Sequence, residues 1–173
     1  SEVAQGPWAL FTSGSKSFNI PAFTGAYGFI PEENERDSYL QALKGRDGLS
    51  SPSVPALVAH IAAYRDGAPW LDALRDYLQA NMRYVADTLN NAFPALCWQP
   101  PEATYLAWID LRPLNVDDRA LQQALIAEQK VAIMPGYTYG PEGNGFLRLN
   151  VGCPREKLER GVEGLIAALR SLS

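Results

Sequence analysis

Leu71, Leu74, Leu78, Met82, Val85 and Leu89 recur at three- and four-residue steps, the spacing that keeps one face of an α-helix apolar for about five turns. Gly67 and Pro69 precede this run and Phe93-Pro94 closes it, so a single helix from about residue 69 to residue 94 is expected. A helix of that length reaches about 39 Å, at least the width of a small domain, so the rest of the chain must be arranged around it. It reads as a connector between two domains; a purely internal core helix would carry the same pattern.

Upstream, Ala9 to Phe11 and Ala26-Tyr27-Gly28-Phe29-Ile30 are short apolar runs bounded by Gly or Pro, as expected of strands covered on both faces. Asp37 to Lys44 reads as a short helix stopped at Gly45. Ser51-Pro52 offers an N-cap and first-turn proline for a helix to about Arg65, ended by Gly67. Downstream, Tyr105 to Leu111, Val131 to Met134 and Phe146 to Val151 read as strands. Between the first two lies a helix capped by Asn115, with Asp118 in its first turn and Leu121 and Leu125 inward. A last helix from about Pro154 buries Leu158, Val162, Leu165, Ile166 and Leu169. Three strands and two helices form a compact α/β layer.

With 47% apolar and 20% charged residues, the 173-residue chain has an ordinary globular composition. A net charge of -4 and the lack of a Lys/Arg cluster argue against a nucleic-acid partner. No apolar run is long enough for a membrane span, and residues 1–5 lack the basic-then-apolar order of a secretory signal, which points to the cytoplasm. Ser1 is no natural start residue and suggests a chain processed or excised from something longer. Cys97 and Cys153 fit no metal spacing and read as reduced core or strand residues; a pairing between them stays open at this level. No metal site is expected.

Four features bear on chemistry. Lys16 follows the apolar Trp8 to Phe11 segment within Thr12-Ser13-Gly14-Ser15-Lys16-Ser17-Phe18-Asn19, where small hydroxyl residues and glycine suit the holding of a phosphorylated aldehyde. The same turn chemistry suits a solvated surface lysine. Arg148 sits between Leu147 and Leu149 on a strand and shares its face with Phe146 and Asn150; it can grip a carboxylate with two parallel hydrogen bonds, or point outward from a half-exposed strand. The loop from Met134 to Gly145 holds four glycines and an aromatic pair, Tyr137 and Tyr139, that could roof a pocket; a plain connector is the other reading. His60 reads as a hydrogen-bonded structural histidine, the four tryptophans as core anchors, and Glu32, Glu33 and Glu35 as a solvated turn.

The Ser-x-Ser-Lys turn after a strand, the Pro135-Gly136-x-x-Tyr139-Gly140 loop and the Phe146-Leu147-Arg148-Leu149 strand resemble, in order and spacing, the class I/II, fold-type I pyridoxal-phosphate enzymes. Ser13 to Pro21, Lys44 to Ser53 and Val131 to Gly140 more narrowly resemble the MalY/PatB-type cystathionine β-lyases. The resemblance runs through the whole chain but covers only the C-terminal portion of such an enzyme.

It implies that residues 1–68 close the large cofactor-binding domain, 69–94 form the connecting helix, and 95–173 form a small C-terminal α/β domain with a short sheet packed by helices. Lys16 would be the Schiff-base lysine and general base, Ser13 and Ser15 would hold the cofactor phosphate, and Arg148 would bind the α-carboxylate of a sulfur amino-acid substrate. Many members carry a phosphate-binding arginine eight residues after the lysine; Thr24 stands there in this chain. The implied reaction is β-elimination to thiol, pyruvate and ammonia, with an aminotransferase of the same fold as the near rival. The family's acidic partner for the pyridine nitrogen, its stacked aromatic and its glycine-rich phosphate turn would all lie upstream of Ser1. The isolated chain is therefore expected to bind pyridoxal phosphate poorly and to be inactive. A homodimer is implied, and so is a role for proteins of this type in restraining the maltose-regulon transcriptional activator.

Overall fold

The computed structural model describes residues 6–49 and 51–172, so residues 1–5, and Ser50 within the Lys44 to Ser53 motif, lie outside the described residues. Two compact units are present, one running to Ala73 and the other from Leu74 onward.

In the first unit, β1 (Leu10–Thr12) pairs antiparallel with β2 (Tyr27–Phe29). Both strands are exposed along their length, with Phe29 54% accessible, so the expected cover on both faces is not supplied by the described residues. Helix α1 (Glu33–Gln41) begins earlier than the Asp37 start. Glu33 and Glu35 occupy its first turn, where carboxylates meet the positive end of the helix dipole, so this acidic stretch starts a helix. Gly45 does not stop it, because a π-helical turn, Ala42–Arg46, carries the chain past, closed by the Asp47 N–H donating to the Ala42 carbonyl at 2.9 Å. Helix α2 (Val54–Asp66) is capped by Ser53, not Ser51; the Ser53 hydroxyl accepts from the Ala56 N–H and Pro55 fills the first turn. Gly67 ends it as expected.

Helix α3 (Ala68–Ala92) fulfils the long apolar period. From Leu74 its inward residues, Met82, Val85 and Leu89, enter the core of the second unit. That unit carries an antiparallel sheet in the order β3 (Leu106–Asp110), β5 (Phe146–Asn150), β4 (Met134–Pro135). Along β3 and β5 alternate side chains turn inward: Ala107, Ile109, Leu147 and Leu149 are buried. They form one cluster with Leu121 and Leu125 of α4 (Asp118–Ala127) and with Leu158, Val162, Leu165 and Leu169 of α5 (Arg155–Ser171). Each fully buried leucine contributes about 2 kcal/mol to holding these elements together. Ile166 is only half-buried against this cluster.

Several expectations change here. The cap of α4 is Asp117, whose carboxylate accepts from the Arg119 and Ala120 N–H groups at 3.0 and 2.7 Å; Asn115 instead takes a left-handed conformation, φ 50°, that ends a preceding 3-10 turn. Strand β4 has two residues, and Val131, Ala132 and Ile133 lie outside it. Of the four tryptophans only Trp98 is buried; Trp8, Trp70 and Trp108 are exposed. Cys97 is exposed and Cys153 half-buried, both as free thiols. One polar anchor was not foreseen. Asn81, 1% accessible, donates from Nδ2 to the carbonyls of Val151 at 2.9 Å and Cys153 at 3.3 Å, tying α3 to the β5–α5 connection. Among the described residues no helix is long and apolar enough to cross a membrane.

Candidate functional site

Ser13, Ser15 and Lys16 are brought together on one turn of the first unit, directly after β1. The Ser13 hydroxyl donates to the Gly25 carbonyl and accepts from the Ser15 N–H at 3.2 Å. The Ser13 and Ser15 hydroxyl oxygens lie 3.1 Å apart. Because the single Ser13 proton is committed to Gly25, the Ser15 hydroxyl is the one with a donor to give. Bonds from Phe18 N–H to the Gly14 carbonyl and from Ile20 N–H to the Ser15 carbonyl, both 2.9 Å, coil the residues around Lys16 into a helical turn. Lys16 stands exposed on it and its side chain has no bonded partner among the described residues.

Helix α2 supports this turn from below. Gly14 is buried, and a methyl group there would stand 3.0 Å from a Tyr64 ring carbon and 3.2 Å from Phe18. A methyl there would require one of these rings to give by a few tenths of an ångström. Tyr64 packs edge-on to Phe18, with ring centroids 5.2 Å apart, and its hydroxyl shares a 2.9 Å hydrogen bond with that of Tyr27 on β2. His60, one helical turn before Tyr64, lies against Gly14 and Gly25. Its Nδ1 lies 2.9 Å from the Ala56 carbonyl and donates to it, while its buried Nε2 has no partner among the described residues. His60 is thus hydrogen-bonded as expected, but its place beneath the Lys16 turn was missed. The four-residue spacing of His60 and Tyr64, which puts both on one helix face, was the available signal.

Arg148 lies in the second unit. It shares the outer face of β5 with Phe146 and Asn150, as the alternation requires, and is half-buried. Its guanidinium lies 4.7 Å from the centre of the Tyr139 ring, a cation–π contact worth about 1 kcal/mol. Trp108 stands opposite Arg148 in the ladder, stacks on Phe146 at 5.5 Å and meets Tyr139 edge-on at 5.7 Å. The aromatic pair of the glycine loop therefore divides its work: Tyr139 backs Arg148, and Tyr137 lies beneath Arg119 at 4.9 Å. Of the four loop glycines only Gly140 and Gly145 take positive φ, 116° and 79°.

At the far end of the ladder, Arg112 lies 4.6 Å over Phe146 and clasps Asp110 with two side-chain bonds, 2.9 and 2.6 Å. The Arg112 guanidinium holds the Asp110 carboxyl below the usual carboxylate range, against partial burial acting the other way. A carboxylate favoured by folding adds stability above its unfolded value, about 4, and that contribution is lost as pH falls through the lower folded value. Asp110→Asn is expected to lower the melting temperature at pH 7, and the difference is expected to shrink as pH falls from the unfolded value toward and through the lower folded one. Thermal denaturation across that range checks this, and a penalty constant with pH would assign the pair a purely steric role.

Residues 1–165 match the family described as aminotransferase class I and II. The chain belongs to that family. Within it, the sequence is 72% identical over 172 residues to protein MalY of Escherichia coli (strain K12), an alignment covering 99% of this chain and 44% of MalY. It is 37% identical over 155 residues to cystathionine beta-lyase PatB of Bacillus subtilis (strain 168), covering 90% of this chain and 40% of PatB. Among solved structures, cystalysin from Treponema denticola, which contains a pyridoxal 5'-phosphate cofactor, superposes with a TM-score of 0.84 at 29% identity, over 95% of this chain and 42% of cystalysin. The α/β fold of this chain is the one cystalysin has over the superposed residues, and the chain spans less than half of each relative's length.

Proposed function

We propose that this chain is the C-terminal part of a pyridoxal-phosphate-dependent carbon–sulfur β-lyase acting on cystathionine-like amino acids. The observation that carries the reading is the Ser13-Gly14-Ser15-Lys16 turn, seated on α2 through a buried glycine so that Lys16 faces outward. Its donor set fits a phosphorylated aldehyde: an amine at the tip and, within the same turn, a hydroxyl with a proton to give. Lys16, Ser13 and Ser15 would hold the cofactor. When bound, pyridoxal phosphate supplies an electron sink for the pair left at the substrate Cα.

The chain's own residues have simpler tasks. Lys16 would hold the cofactor at its aldehyde end and would take the proton from the substrate Cα. Arg148 grips the substrate α-carboxylate; with Tyr139 against its face, its donor edge remains for two parallel bonds. Loss of the Cα proton expels the β-thiolate, and hydrolysis of the remaining three-carbon fragment gives pyruvate and ammonia. The open surroundings of Lys16 and the exposed strands of the first unit support completion of this site by residues outside the chain, so the chain alone is expected to be inactive. A homodimer partner and a transcriptional-activator partner enter this proposal through the family resemblance alone.

Product analysis tests the reading. The chain joined to the upstream segment of MalY is expected to convert cystathionine to equal amounts of thiol and pyruvate. A 2-oxo acid that retains the sulfur would overturn β-elimination in favour of amino-group transfer.

A further inference from the structure

A crevice of about 600 Å³ in the second unit runs between β5, the first half of α5 and the segment 129–134 that leads into β4. Ile133, Leu149 and Leu158 contribute apolar lining, while four lining side chains are cationic: Lys130, Arg148, Lys157 and Arg160. No Asp or Glu lines it. In a chain of net charge -4, this gathering runs against the average composition. Glu159 is held by Arg155 at 2.9 Å, and although Glu156 and Glu163 also lie on α5, no ion pair within 4.0 Å joins Lys157, Arg160 or Arg148 to a carboxylate among the described residues. Lys130 donates only to the Ala127 carbonyl, a contact that leaves its charge in place. Lys157 and Arg160, three residues apart, share one face of α5. Pro154 gives α5 no side-chain cap, so the first amides of the helix add partial positive charge at the same end.

Like charges around a concave, partly apolar surface focus a positive potential that an anion relieves. We propose that this crevice binds a small multivalent anion of the phosphate-ester or polycarboxylate class, held chiefly by Lys157 and Arg160 and flanked by Lys130 and Arg148. The site goes beyond the lyase reading and shares only Arg148 with it. Its test leaves Arg148 untouched and needs neither cofactor nor sulfur substrate, so the two readings fail separately.

Calorimetric titration of the full chain with pyrophosphate and with citrate, at ionic strength fixed with sodium chloride, is the direct measurement. Saturable one-to-one binding of at least one anion is expected. K157Q/R160Q should weaken it about tenfold or more, whereas R83Q, at an exposed arginine of α3 outside the crevice, should change it less than about twofold. Each single variant, K157Q and R160Q, is expected to weaken it about threefold and stands in if the double variant melts early. Binding of pyrophosphate alone assigns a phosphate-bearing ligand, and of citrate alone a polycarboxylate. Failure of both anions to bind, equal weakening by R83Q, or binding indifferent to K157Q and R160Q would overturn the proposal.

Discussion

Lys16→Ala, made in the chain joined to the upstream segment of MalY, is expected to lower kcat for β-elimination by roughly 10³-fold or more while leaving KM within a fewfold. The split follows from the separate placement of the groups. Arg148, proposed to hold the substrate carboxylate, belongs to the other unit and is untouched by the substitution. Lys16 is the group proposed to carry the proton, and no other amine stands on its turn. Stability should not change, because the Lys16 side chain is exposed and has no bonded partner among the described residues; an exposed substitution of this kind alters stability by about 0.5 kcal/mol or less. Equal melting temperatures with a collapsed kcat would separate chemistry from folding. Added ethylamine should restore part of the rate, since a small amine can occupy the space the side chain vacates and take the proton in its place. A Lys16→Ala enzyme that keeps its rate within tenfold would remove the lysine from the mechanism.

The sequence made some of this arrangement readable and hid the rest for identifiable reasons. Helices α3 and α5 stood out because each repeats its apolar period over several turns, and the facing of Arg148 followed from simple alternation on β5. The run Val131 to Met134 has the composition of a strand, yet the end of α4 claims its first residues. Lys130 takes a positive φ of 56°, and the Val131 N–H donates to the Leu125 carbonyl at 2.9 Å, so the chain is still closing a helix where apolar content alone suggested a ladder. The two misplaced caps have a related cause. Several polar residues were available in each stretch, and Asn115 was already committed to a left-handed turn. The exposed tryptophans and bare strands of the first unit could not be read from composition, because apolar content does not say which molecule will cover it. At the candidate site, the small residues around Lys16 were visible as a local cluster. The His60 and Tyr64 support, and the Tyr139 and Trp108 frame of Arg148, arise from contacts between distant segments that no local pattern records.

The second large effect is expected at Gly136, where the chain can be tested without cofactor or partner. Gly136 and Gly143 press backbone against backbone inside the β4–β5 loop, both buried. A methyl group on Gly136 would collide with the Gly143 carbonyl oxygen and lie 2.8 Å from both the Cβ and the carbonyl oxygen of Phe146. None of these is the free end of a flexible side chain, so the loop itself must shift. Gly136→Ala is expected to cost about 3 kcal/mol, outweighing the fraction of a kcal/mol gained by restricting the unfolded chain. For a unit of this size that is a fall in melting temperature on the order of 12–20 °C. Gly161→Ala supplies the contrast: that glycine lies within α5 with nothing near its missing methyl, and the substitution should raise stability by about 0.5–1 kcal/mol. Thermal denaturation of both variants distinguishes a steric requirement at one position from a general sensitivity to glycine replacement. The consequence reaches the proposed carboxylate site as well. Tyr139 lies between these two glycines in sequence and Arg148 follows two residues after Phe146, so a loop displaced at Gly136 moves the ring away from the guanidinium. A Gly136→Ala chain that melts like the parent would mean that this loop can rearrange freely, and the Tyr139–Arg148 contact would then have no rigid support.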